Sequence, residues 1–283
     1  MYSSNILGSI DHFYRNLTRG LKNDQFKLTA IYKVHMSFRP SSVDVPYTDY
    51  LLVFQTIAGT GCVCCFDNDL TLNLNWIGLD IRDINADNIF SKVALIDAGL
   101  SLITADTAIK KLKLTGSSTQ KAINRATIIV DEVDRLSNNK SGRVRVALIG
   151  SVGSIIHELI RRDYIVLATD LDQDVIGTDF EGVIVQDGND YTLQNIEASD
   201  VAIITGTVLL NHTIDEIWKT AKKHNTRLLM YCQSGANIAP LYLFLGADTV
   251  VSEQFPFYML PGVTEVRIYN GDLPDNFLKQ LKH

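Results

Sequence analysis

The sequence predicts an α/β protein made of two unlike parts. A small α+β domain spans residues 1–118, a connecting helix and linker occupy 119–142, and a parallel-sheet domain follows at 143–283. Three observations carry this reading. After Arg143, continuously apolar strands alternate with amphipathic helical stretches, the pattern of a parallel sheet covered on both faces. Before Gly116, apolar and polar residues alternate along successive strands that are not separated by helices. Between the two, the polar stretches Gly116–Thr119 and Ser137–Gly142 interrupt the apolar pattern.

In the first part, Ile6, Ile10, Phe13, Tyr14, Leu17 and Leu21 recur at helical spacing. Lys27–Phe38 alternates as a strand, with Leu28, Ala30, Tyr32, Val34 and Met36 on one side. Pro40 and Pro46 mark a loop. Tyr50–Thr56 and Gly61–Phe66 are the next two strands. Asn85–Asn88 supplies a cap for a helix through Phe90, Val93, Ala94, Ala98 and Leu102. Helix, three strands, then helices is the order of an α+β unit with an antiparallel meander.

In the second part, Arg143–Ile149 is a strand and Ser154–Arg162 a helix with Ile155, Ile156, Leu159 and Ile160 on one side. Tyr164–Thr169, Gly182–Val185 and Asp200–Ile204 are the next strands. Thr213 and Glu216 have capping-box spacing before a helix carrying Ile214, Ile217, Trp218 and Ala221. Arg227–Tyr231 is a fifth strand, Pro240–Leu245 a short helix ended by Gly246, and Thr249–Val251 opens a sixth strand.

Composition narrows the function classes. The 283 residues carry 26 Lys plus Arg against 32 Asp plus Glu, a net charge of -6. A dedicated nucleic-acid binder, which neutralises phosphates with basic side chains, is not expected. No apolar run reaches the roughly 18 residues of a membrane span, and the N-terminus lacks the pattern of a secretory signal. A cytoplasmic protein with four reduced cysteines is the expectation, with Asn16, Asn139 and Asn211 unglycosylated despite their N-x-S/T context.

In a parallel sheet, ligands bind beyond the C-terminal strand ends, so three loops are candidates. The first, Gly150-Ser151-Val152-Gly153-Ser154, follows the first strand and opens a helix whose amides suit an anion. Asp170 ends the second strand, where an acid accepts hydrogen bonds from a ribose. The loop reads G-x-x-G rather than G-x-G-x-x-G, so the dinucleotide fingerprint is broken, and a plain strand-to-helix turn accounts for the same glycines. The second loop, Thr205–Thr213, supplies Thr205, Gly206, Thr207 and Asn211. The third, Cys232–Asn237, offers Ser234 and Gly235.

Ile203–Asp215 (IITGTVLLNHTID) strongly resembles the I-T-G-T-x-L-x-N-x-T stretch of the putative heavy-metal-chelation family. The likeness extends weakly through Val146–Gly150, Ser234–Pro240 and Val93–Leu102. It implies an enolase-N-terminal-like domain followed by a Rossmann-like domain, with a site in the cleft between them. The chain departs from the family where Ser151-Val152-Gly153 replaces a proline-containing turn and where Cys232-Gln233-Ser234 replaces Gly-Pro-Ser.

Cys62, Cys64 and Cys65 form the densest thiol cluster, and on a strand Cys62 and Cys64 share a face. Two thiolates there, with Cys232 as a further ligand, would suit a soft metal; the competing reading is buried structural thiols. His12, His35, His157, His212, His224 and His283 show no ligand spacing. His212 beside Asp215 has the makings of a general base, or of a solvated loop residue. There is no G-x-S-x-G and no phosphate-binding G-K-[ST] run. Phe255–Pro261 lines a cleft, forms a subunit interface or packs the last strand.

Three functions remain open. One is binding of a small polar ligand, a metal ion or metal complex included, in the interdomain cleft. The second is catalysis with a nucleotide-type cofactor, S-adenosylmethionine or NAD(P). The third is a non-catalytic oligomeric binding protein. Neither a membrane nor a nucleic-acid partner is expected.

Overall fold

The computed structural model describes the chain except residues 1–4, 22, 39–46, 67–69, 139, 141 and 283. The loop expected at Pro40 and Pro46 and the histidine His283 lie outside the described residues. The first part holds α1 (Ile6–Thr18), β1 (Leu28–Phe38), β2 (Tyr47–Thr56), β3 (Thr60–Cys64) and α2 (Ile89–Thr104). Its three strands form an antiparallel sheet in the order β1-β2-β3, with Val34 opposite Leu51 and Leu51 opposite Cys64. Asn5 and Asn88 cap the two helices, accepting from Gly8 N and Ser91 N at 2.7 and 2.8 Å.

The chain continues with β4 (Lys110–Leu114), α3 (Ser118–Ser137), β5 (Arg145–Ile149), α4 (Gly153–Arg161), β6 (Ile165–Asp170), β7 (Asp179–Phe180), β8 (Val183–Ile184), β9 (Gln186–Asp187) and α5 (Gly188–Glu197). Then come β10 (Val201–Thr205), α6 (Ile214–His224), β11 (Arg227–Cys232), α7 (Ala239–Phe244), β12 (Thr249–Glu253), β13 (Thr264–Asn270) and α8 (Asp275–Lys282).

The large sheet has the order β4-β13-β12-β11-β10-β5-β6-β9. From β9 to β12 it is parallel, and the chain reverses direction of travel at β5/β10, the switch point of a doubly wound sheet. The sequence predicted an all-parallel sheet; β13 and β4 instead run antiparallel along one edge. The sequence reading assigned residues 110–114 to the first part without a strand there; they form β4 of the large sheet. Its sequence, KKLKL, keeps three lysines exposed beside Leu114, a charged edge that resists further pairing. The third parallel strand is also displaced. Val183–Ile184 pairs with Asp179–Phe180 in a small hairpin, and Gln186–Asp187 fills the sheet position instead. Asp187 is committed there because its carboxylate caps α5, accepting from Asn189 N at 2.9 Å.

Two large cores flank the sheet. One, under α3 and α4, contains Ile129, Val133, Leu148, Ile155 and Val266. The other runs without a break from Phe13, Phe54 and Ala98 of the first part to Ile204, Met230 and Tyr242 of the second. A smaller cluster joins Leu51, Val53 and Cys62 to Phe257. The aromatic Phe255–Met259 segment therefore packs on the meander, rather than on the last strand. Among the described residues no helix is long and apolar enough to cross a membrane.

Candidate functional site

The loops after β5 and β10 touch. Gly150 has φ +88°, and a Cβ there would lie 2.3 Å from Thr205 Oγ1. Thr205 in turn donates to the Ile149 carbonyl at 3.1 Å and lies 2.8 Å from Thr207 Oγ1. Backbone conformation and space both demand glycine. Gly150→Ala is expected to lower the unfolding free energy by about 2–3 kcal/mol. Urea titration tests this; a loss below about 0.5 kcal/mol would show that Thr205 yields freely.

Asp170 sits beside the same loop and is spent on backbone. One oxygen accepts from Ser151 N at 2.6 Å, the other from Leu171 N and Asp172 N at 2.8 and 3.1 Å. These amides take the acceptor positions that a ribose would need. The Ser151 hydroxyl is buried and has no partner among the described residues. Helix α4 starts at Gly153 behind Val152, which provides no side-chain cap; the Ile155 and Ile156 amides donate to the Val152 carbonyl at 2.9 and 3.1 Å, which leaves the Gly153 and Ser154 amides as donors.

Ser154, in that first turn, accepts a 2.9 Å hydrogen bond from Arg125 Nη2. This arginine was missed by sequence reasoning. It lies on α3, is 1% exposed, and has its guanidinium 4.0 Å from the Tyr258 ring centroid and 5.2 Å from that of Tyr231. The fully buried Glu253 is 3.8 Å from Nη1 and also receives Gln233 Nε2 at 2.9 Å and Tyr231 OH at 3.3 Å. Lys121, one turn earlier and equally buried, donates to the Leu260 and Gly262 carbonyls at 2.6 and 3.1 Å. A signal existed. Lys121 and Arg125 continue at i, i+4 spacing the stripe of Ile129 and Val133, so two cations stood on the buried face.

The other two loops mainly join the parts of the molecule. Gly206 packs so closely that a Cβ would meet the Ser234 carbonyl at 2.4 Å. Ser234 Oγ accepts from Cys64 N at 2.8 Å, and Gly235 N donates to the Cys62 carbonyl at 2.9 Å. The free edge of β3 is thus continued by this loop. Asn237 N donates to Asp97 at 2.7 Å, while the second Asp97 oxygen accepts from Cys62 N at 2.8 Å. Asp97 is fully buried, and burial outweighs these bonds and pushes its pKa up to about 7. Asn211 stands apart: its side chain accepts from Thr213 N and Thr213 Oγ1 at 3.2 and 2.7 Å. Thr213 therefore does not cap α6 as its spacing predicted; its hydroxyl is turned back to Asn211.

The thiols are free and largely buried. Burial raises the Cys62 pKa well above its ordinary value and that of Cys64 to about 12, so both are protonated thiols near neutral pH. Cys62 faces the Phe257 cluster, whereas Cys65 and Cys232 lie in the large continuous core. Among the described residues, no group of three or more His, Cys, Asp or Glu is placed to hold a metal ion. His212 is exposed, and its neighbour Asp215 accepts from Ile6 N at 2.7 Å at the start of α1. That carboxylate serves a helix end.

The fold and these loops define a two-part α/β protein whose polar groups gather at the C-terminal edge of a doubly wound sheet. Residues 134–231, roughly a third of the chain, match the family described as putative heavy-metal chelation, DUF364, bearing out the resemblance read from Ile203–Asp215. Two solved structures of DUF364 proteins share the fold. One, from Desulfitobacterium hafniense, has 13% identity, a TM-score of 0.54 and coverage of 87% of each chain. The other, from Pyrococcus horikoshii, has 14% identity, a TM-score of 0.51 and covers 94% of this chain and all of its own. Both are described as having unknown function. No curated protein matches the chain.

Proposed function

We propose that the protein binds a small polar ligand at the C-terminal edge of its parallel sheet, between the β5–α4 loop and Thr205–Thr207. The observation that carries this reading is the Ser151 hydroxyl, buried without a partner beside the uncapped start of α4. A buried hydroxyl with no acceptor costs free energy that a ligand would return. Thr205 and Thr207 add hydroxyls on the adjoining strand end, and ligands favour this edge of such sheets.

The family description brings a heavy metal into question. The protonated, scattered thiols favour a metal complex held through its polar periphery over a bare ion held by cysteine. The commitment of Asp170 to three amides counts against a ribose-bearing cofactor.

Native mass spectrometry with elemental analysis, on protein purified anaerobically, tests the reading. The expected result is a bound small molecule in the wild type that is lost from Ser151→Ala and weakened by Thr207→Ala. A ligand retained equally by both variants would place the site elsewhere. A stoichiometric metal lost on Cys62→Ser or Cys64→Ser would replace this proposal with direct thiolate coordination.

A further inference from the structure

We propose that Arg125 and the first turn of α4 form a binding site for a small oxyanion, the phosphoryl or carboxylate group of the ligand. The inference rests on the sheet-edge reading above and adds the ligand's charge and the residue that recognises it.

The argument begins with charge. Two buried cations, Lys121 and Arg125, stand on one face of α3 against a single buried carboxylate, Glu253. Glu253 is 3.8 Å from Arg125, too far for a hydrogen bond, and its oxygens already receive Gln233, Tyr231 and Thr264. Burying a surplus charge is costly unless it is compensated.

Hydrogen-bonding capacity points the same way. Arg125 is 1% exposed, yet its Nε–H has no acceptor among the described residues. Its Nη2 reaches Ser154 at 2.9 Å, which fixes the guanidinium at the N-terminal turn of a nine-residue helix. There the helix dipole adds positive potential, and the cap residue Val152 brings no side-chain acceptor. The orphan guanidinium N–H, the Gly153 and Ser154 amides and the orphan Ser151 hydroxyl are all donors on this loop or on the side chain bonded to it, and an oxyanion is the group that would supply acceptors. The loop residues Ser151 to Ser154 are half-buried.

Calorimetric titration of inorganic phosphate into the full chain, with ionic strength held constant by sodium chloride, is the test. The wild type is expected to bind phosphate saturably, and Arg125→Lys and Ser151→Ala to weaken it at least tenfold. Ser151→Ala should keep the wild-type melting temperature or raise it slightly, because the hydroxyl it removes is buried without a protein partner. It thus decides the matter should the arginine variant not fold. Absence of saturable phosphate binding, or wild-type affinity in Ser151→Ala, overturns the proposal. A neutral molecule that co-purifies with wild type and is lost from Ser151→Ala, with no phosphate binding, would keep the sheet-edge site and remove only its anionic character.

Discussion

Gly61→Ala should destabilise the protein by about 3 kcal/mol or more, and Gly61→Val should prevent folding. The added Cβ would lie 2.1 Å from the Ala94 carbonyl oxygen and 2.3 Å from Ala98 N, both main-chain atoms of α2. Side chains can rotate away from an intruding methyl; a helix backbone must move as a body. Overpacking of a tight core costs about 1–3 kcal/mol, and an unyielding neighbour puts this site at or above the upper end. Ala94 and Ala98 are themselves fully buried small residues, so strand and helix approach closely by mutual consent. Equilibrium urea unfolding at unchanged m-value provides the check, and a variant within about 0.5 kcal/mol of wild type would show that α2 is free to shift.

The second large effect concerns pH. Asp97 in the folded protein holds its proton up to about pH 7 because burial disfavours its charge. In the unfolded chain it titrates near 3.9. Between those values the folded state binds the extra proton, so stability falls as pH rises through this window and levels off above it. The contribution is on the order of 4 kcal/mol at most, at about 1.36 kcal/mol per pH unit. Asp97→Asn should flatten this part of the profile. It should also cost roughly 1–3 kcal/mol at acid pH, since its NH2 group faces a backbone donor, Cys62 N or Asn237 N, that the carboxyl oxygen satisfied. Urea midpoints at pH 5 and pH 7.5 decide it: equal slopes for wild type and variant would mean that Asp97 is ionised throughout.

How much of this was legible beforehand depended on the range of the cause. The strands β5, β10 and β11 could be read because a parallel strand buried on both faces must be apolar at every position. Asn88 could be read because a cap acts within three residues. The edge strand β4 could not, since KKLKL takes its place only by pairing with Thr264–Ile268, far along the chain. Val183–Ile184 looked like the third sheet strand because it is apolar; Asp179–Phe180 claims it as a hairpin, and the two-residue β9 is too short to show a period. The loop residues Gly150, Thr205, Gly206 and Ser234 were foreseen as neighbours, and they do adjoin. Their polar groups largely meet one another and the first part of the molecule, a fact invisible without the meander in place. Arg125 went unnoticed because a basic residue on a helix is ordinarily solvated. What encloses it is Tyr231, Glu253, Ser154 and Tyr258, brought together from distant parts of the chain.

Strand β4 also bears on how such a protein can be taken apart and recombined. A cut at the polar stretch near residue 118 looks natural, yet it would carry β4 away with the N-terminal piece. The C-terminal piece would then present β13 as a bare rim, with the backbone donors and acceptors of Val266 and Ile268 open to any passing strand. A chimera joined at Ile109, ahead of β4, with a foreign front half to cover the shared core, keeps its own selvedge of lysines on β13.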